Sequence, residues 1–99
     1  MASEHEVLTQ AIKRYGVVSQ VNMMFEEMSE LQKELCKHLR GKDNLTEIAE
    51  EIADVEIMLA QMKAIFGCAA MVEGWRQTKV NRLANRLERE FEHDHDQGN

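Results

Sequence analysis

Two acidic clusters, Glu26-Glu27-Met28-Ser29-Glu30 and Glu51-Ile52-Ala53-Asp54, sit inside stretches that are otherwise amphipathic and helical in pattern. Residues three or four apart share one face of an α-helix. Glu27 and Glu30 therefore project together from one helix, and Glu51 and Asp54 from another. Four carboxylates converging across a helix pair repel one another unless a cation sits between them. Hard divalent ions such as Mg²⁺ take oxygen ligands of this kind, often with phosphate oxygens completing the shell. The expected chemistry is metal-assisted and directed at a phosphorylated small molecule.

The elements that must carry these groups are legible from apolar spacing and glycine punctuation. Ser3 with Glu6 reads as a capping box, followed by Val7, Leu8, Ala11, Ile12 and Tyr15 and a stop at Gly16. A second helix starts near Val18 or Ser19, carries the seam Val21, Met24, Met28, Leu31, Leu35 and Leu39, and ends before Gly41. Asn44 with Glu47 offers another capping box, opening a third helix through Leu45, Ile48, Ile52, Val55, Leu59, Met62 and Phe66, closed by Gly67. Cys68 to Val72 fits either a tight connection or an early helical turn. A fourth helix carries Trp75, Val80, Leu83, Leu87 and Phe91, and the polar residues 93–99 read as a disordered tail. There is no proline to interrupt a helix, and no strand-like alternation.

These elements predict an all-α fold, an antiparallel helical bundle of about four helices in one domain spanning residues 1–92. The seams offer more apolar length than so small a protomer covers, so oligomerisation is expected to complete it.

At about 100° per residue, Glu27, Glu30 and Glu34 fall roughly 110° from the apolar centre of the second helix. Glu47, Glu51 and Asp54 fall roughly 100° from that of the third. Each helix thus has a carboxylate ridge bordering its packed face. The plain alternative is a solvated acidic face. Against it, the third helix has no lysine or arginine between Asp43 and Lys63, and like charges at i, i+4 are destabilising. The fourth helix supplies the opposite sign: Lys79, Arg82 and Arg86 form a basic ridge, suited to phosphate oxygens or, more plainly, to pairing with Glu88 or Glu90.

Other functions are disfavoured by the sequence. A formal charge of −6 lacks the basic footprint of a nucleic-acid polymer binder. There is no Glu-x-x-His pair for a di-iron bundle, no P-loop, and no serine or cysteine beside a histidine in a nucleophile arrangement. The four histidines read as bystanders. No apolar run approaches the roughly 20 residues that span a bilayer, so no membrane association is expected. Cys36 and Cys68, which form no CxxC, and a beginning without signal-peptide character lead to an expected cytoplasmic location.

Glu26-Glu27-x-x-Glu30 followed by Glu51-x-x-Asp54 resembles the EExxE…ExxD signature of the MazG-like all-α nucleoside triphosphate pyrophosphohydrolases, over roughly residues 15 to 90. The resemblance implies hydrolysis of a (d)NTP to (d)NMP and pyrophosphate with Mg²⁺, Mn²⁺ being an alternative ion. It implies Glu27, Glu30, Glu51 and Asp54 as metal ligands and Glu26 as the group that orients or deprotonates the attacking water. It also implies a substrate-binding set of Lys79, Asn81, Arg82 and Arg86 on the last helix. There the family commonly has Asn-x-Lys, and this chain has Gln77 in the asparagine's place. A homodimer or homotetramer follows from the same resemblance. The competing reading is a non-catalytic helical adaptor, or a nucleotide-binding module, that uses its acidic face without turnover. No motif encodes the base or the sugar.

Overall fold

The computed structural model describes residues 1–97 and is all-α, with four helices and no strand among the described residues. Helix α1 spans Glu4–Tyr15, α2 Val17–Leu39, α3 Leu45–Phe66 and α4 Ala69–Gln97. The chain divides into two compact units, one comprising Met1–Gly67 and the other beginning at Cys68. The boundary between the two units falls at the left-handed Gly67 that closes α3.

The local signals act largely as their chemistry dictates. Ser3 Oγ accepts the Glu6 amide at 3.1 Å, which caps α1. Gly16 has φ +91°, so the chain turns in one residue and α2 begins at Val17, earlier than the apolar spacing suggested. At the end of α2 the amide of Gly41 donates to His38 O and that of Lys42 to Lys37 O, with Gly41 at φ +99°. This is a Schellman closure, and it needs a residue that tolerates positive φ. The ambiguous stretch after Gly67 is helical from Ala69, and Val72 N–H donates to Cys68 O at 2.9 Å. Helical conformation continues over His93–Gln97, where the sequence reads as a disordered tail; no proline or glycine stops the backbone before Gly98. Gly98 and Asn99 lie outside the described residues.

In the first unit α2 and α3 are antiparallel neighbours joined by a short turn, and α1 packs on both. The packed face differs from the expected seam by a rotation. On α2 the inward positions include Gln20, Val21, Met24, Glu27, Leu31 and Glu34, while Met28, Leu35 and Leu39 are exposed. On α3 the inward positions include Ile48, Glu51, Val55, Met58 and Gln61, while Ile52, Leu59 and Phe66 are exposed. Each apolar sector is wider than one contact, and only part of it packs inside the chain. The carboxylate ridge of α2 is therefore split. Glu27 and Glu34 turn inward and Glu30 outward.

In α4, Met71, Trp75, Val80, Leu83, Leu87 and Phe91 are exposed. Arg76 pairs with Glu73 one turn earlier at 3.3 Å, a contact exposed enough to contribute little. Lys79, Arg82, Arg86 and Arg89 line one open groove with Leu83.

Among the described residues, Met24 and Met58 are the buried hydrophobic side chains. Met24→Ala or Met58→Ala is expected to destabilise the first unit by about 2–4 kcal/mol, since each leaves a void in a packed layer. Chemical denaturation followed by circular dichroism measures this. A loss below about 0.5 kcal/mol, the range of surface changes, would show that neither methionine is core.

Candidate metal centre

The inward face of α2 repeats a polar residue every seven positions, at Gln20, Glu27 and Glu34, with Met24 and Leu31 between them. Two helical turns bring residues i and i+7 back to nearly the same direction. The α2–α3 interface consequently alternates apolar and polar layers. The middle polar layer holds the acidic groups of interest.

Oxygen atoms of Glu27, Glu51 and Asp54 all lie within 4.8 Å of one another. Opposed ligands of one ion stand about 4.2 Å apart for Mg²⁺ and about 5 Å apart for Ca²⁺, so the three oxygens are near enough to one another for a single divalent ion to reach them together. Glu27 and Glu51 are half-buried and Asp54 is exposed, which leaves the cluster open to solvent on the Asp54 side. Glu30 is exposed and stands outside this close group, but its charge acts on both Glu27 and Glu51. Glu26 and Glu47 are exposed.

The electrostatics is that of a site short of positive charge. Burial, then the charges of Asp54 and Glu51, push the Glu27 carboxyl above its ordinary range. Burial, then Asp54 and Glu30, does the same to Glu51. Glu51 Oε2 is buried with no hydrogen-bond partner. An unsatisfied carboxylate oxygen is a standing cost in a folded protein, and a cation coordinated there removes it. The donor set, all hard carboxylate oxygen, fits Mg²⁺ or Mn²⁺ and not a softer metal.

Of the other expected site residues, Lys79, Asn81, Arg82 and Arg86 lie exposed on α4 in the second unit. Asn44, expected to cap α3, stands at the N-cap position, but its side chain makes no capping bond. Its amide instead donates to Glu34 Oε1 at 3.1 Å and to Glu34 O at 2.9 Å. Lys37 Nζ reaches Glu34 Oε2 at 3.0 Å. These donors, Asn44 first, hold the Glu34 carboxyl below its ordinary range. The seven-residue spacing of Gln20, Glu27 and Glu34 was the signal that could have placed the carboxylates in the interface.

The two kinds of shift set a pH dependence with a definite sign. Glu27 and Glu51 bind protons more readily folded than unfolded, so their contribution to stability falls as pH rises from the ordinary glutamate value of 4.5. Glu34 has the opposite shift, and its contribution is lost as pH falls below that value. The metal-free chain is therefore expected to melt higher near about pH 5 than at pH 7, with millimolar Mg²⁺ raising the melting temperature at pH 7 and flattening the difference. Thermal melts in EDTA and in Mg²⁺ at both pH values check this. A melt indifferent to Mg²⁺ at pH 7 counts against the metal centre.

No protein-family model, curated protein or solved structure matches this chain.

Proposed function

We propose that the chain is a Mg²⁺-dependent nucleoside triphosphate pyrophosphohydrolase that cleaves a (d)NTP to (d)NMP and pyrophosphate. The observation that carries this reading is the convergence of Glu27, Glu51 and Asp54 from two adjacent helices, with a Glu51 oxygen buried and unpaired. Glu27, Glu51 and Asp54, with Glu30 beside them, are the residues that would hold the ion. When bound, Mg²⁺ or Mn²⁺ supplies compensating charge to the carboxylates and Lewis acidity toward phosphate oxygens.

Glu26 neighbours Glu27 in sequence, but its direction is about 100° around the helix. It is exposed and outside the close carboxylate group, and the resemblance assigns it to the attacking water. In the reaction the water oxygen bonds to the α-phosphorus, its proton passes to the Glu26 carboxylate, and the bond from the α-phosphorus to the bridging oxygen breaks. Pyrophosphate leaves with the bonding electrons. The resemblance assigns Lys79, Asn81, Arg82 and Arg86 to phosphate charge, in keeping with the basic side of α4.

Assembly as a homodimer or homotetramer belongs to the same reading. It is supported by the exposed apolar residues Met28, Leu35, Leu39, Ile52, Leu59 and Phe66 on the outer faces of α2 and α3. No helix among the described residues is long and apolar enough to cross a membrane. A cytoplasmic setting accords with two cysteines that are both free.

Pyrophosphate release from a panel of ordinary and modified NTPs and dNTPs, with Mg²⁺ and with EDTA, tests the activity. Asp54→Asn is expected to lose metal affinity and turnover together, because an amide is a poorer ligand for a hard cation. Glu26→Gln is expected to keep Mg²⁺ and nucleotide binding while kcat falls by about 10²–10⁴-fold, the usual size of a general-base contribution. Calorimetry showing that Glu26→Gln abolishes Mg²⁺ binding would make Glu26 a ligand and overturn this division of roles. Nucleotide binding without turnover across the whole panel would favour the binding module instead.

Assembly has its own test. Met28 is 43% exposed within the chain, so Met28→Lys costs the protomer little and acts chiefly on an interface. The variant is expected to be a smaller species by light scattering and to lose activity. A wild-type chain that is monomeric and active at micromolar concentration rules the assembly out.

A further inference from the structure

Glu34 and Asn44 are among the most buried side chains in the chain, 7% and 1% exposed, and both are polar. Asn44 Nδ2 lies between two acceptors, the Glu34 carboxylate and the Glu34 carbonyl, at 3.1 and 2.9 Å. The orientation of the amide is therefore fixed by chemistry, because the reversed amide would set oxygen against oxygen. Asn44 Oδ1 is left buried without a donor. Capping chemistry does not explain this arrangement, since the side chain gives α3 no capping bond.

The position of this contact along the helix pair gives it a purpose. Glu27 lies seven residues before Glu34 on α2, and Glu51 lies seven residues after Asn44 on α3. Seven residues are two turns, about 10.5 Å of axial rise. In an antiparallel pair, equal steps away from a bonded pair lead to residues that face each other across the interface. Glu27 and Glu51 are that facing pair, and their oxygens fall in one close group.

We infer that Glu34 and Asn44 are positioning residues of the metal centre: their buried hydrogen bond sets the axial register of α3 on α2 that brings Glu51 and Asp54 to Glu27. This assignment rests on the metal reading given above.

The apolar layers hold the register weakly: Met24 and Met58, the buried pair, are unbranched and repack easily, and Leu31, Ile48 and Val55 beside them are only half-buried. A displacement by one residue moves a side chain 1.5 Å along the axis and about 100° around it, which removes Glu51 from the shared face. A buried polar pair resists such a slip because breaking it strands both partners, and fixing helix register is the best-attested use of such pairs. Lys37 holds the second oxygen of Glu34, so the carboxylate cannot swing away to follow a slipped helix.

The test inverts the polarity of the pair. Asn44→Asp sets two carboxylates against each other, and Asn44→Gly removes the contact at a position where glycine is well tolerated. Glu34→Gln combined with Asn44→Asp exchanges donor and acceptor at constant net charge. Each is titrated with Mn²⁺, followed by loss of the free-ion electron paramagnetic resonance signal, with helix content read by circular dichroism. Both single variants are expected to remain helical and to bind Mn²⁺ at least about tenfold more weakly, the lower end of effects from groups that orient metal ligands. The exchanged pair is expected to recover part of that loss, since it restores the side-chain bond but leaves the carboxylate at position 44 facing the Glu34 carbonyl.

A helical Asn44→Gly chain with unchanged Mn²⁺ affinity overturns the assignment. Should Asn44→Asp fail to fold, Asn44→Gly decides alone. An unmodified chain that binds no Mn²⁺ defeats the metal reading and this assignment together. Binding that survives in every variant defeats the positioning role only.

Discussion

Carboxylates placed in the packed face between α2 and α3 govern most of what the first unit does. An interface between two helices normally gains its stability from apolar area removed from water. Here every second layer of that interface is polar, and the layer at Glu27, Glu51 and Asp54 is negative with no cation beside it. Burial, and then repulsion within the layer, raises the affinity of Glu27 and Glu51 for protons. Under the proposed function a divalent ion would relieve the same repulsion, because it too cancels the charge. The proposed function would thus be drawn from a place where the fold has surrendered apolar contact, the usual relation between strained sites and activity.

Much of the fold was legible, because its signals are local. Ser3, Gly16, Gly41 and Gly67 act on their own neighbours, and a chain without proline gives long helices. The two acidic motifs were legible as a pair for the same reason. The direction of the packed face was not. Met28, Leu35 and Leu39 pull the apolar centre of α2 away from the side that meets α3, and periodicity cannot tell which part of a wide apolar sector packs inside the chain. Asn44 misled in another way. Its type and its place before α3 fit a cap, but a tertiary acceptor at Glu34 outcompetes the local amide.

The alternating layers also bear on how the unit is held together. With Met24 and Met58 as its buried hydrophobic side chains, the first unit has little core relative to its length. A large share of its apolar side chains, among them Val18, Phe25, Leu39 and Phe66, remains exposed. Charge in the interface and apolar surface outside it are separate deficits. A cation answers the first and a covering surface answers the second. The two are coupled through α2 and α3, since anything that braces the outer faces of these helices also fixes the spacing of the carboxylates within.

Glu27 and Glu34 show how one residue type is given two roles on one helix face. They are seven positions apart, point in nearly the same direction and meet the same neighbouring helix. Glu34 meets the amide of Asn44 and the ammonium of Lys37, so its charge is satisfied and its carboxyl titrates below the ordinary range. Glu27 meets Glu51 and Asp54, so its charge is opposed and its carboxyl titrates above it. A carboxylate already supplied with donors has little to gain from a metal ion, whereas one surrounded by acceptors has much to gain. The supply of hydrogen-bond donors, more than the spacing of the acids, is what separates Glu34 from Glu27 and Glu51. By that criterion Glu34 belongs to the scaffold and Glu27 and Glu51 to the proposed site, although sequence alone sets all three on acidic ridges.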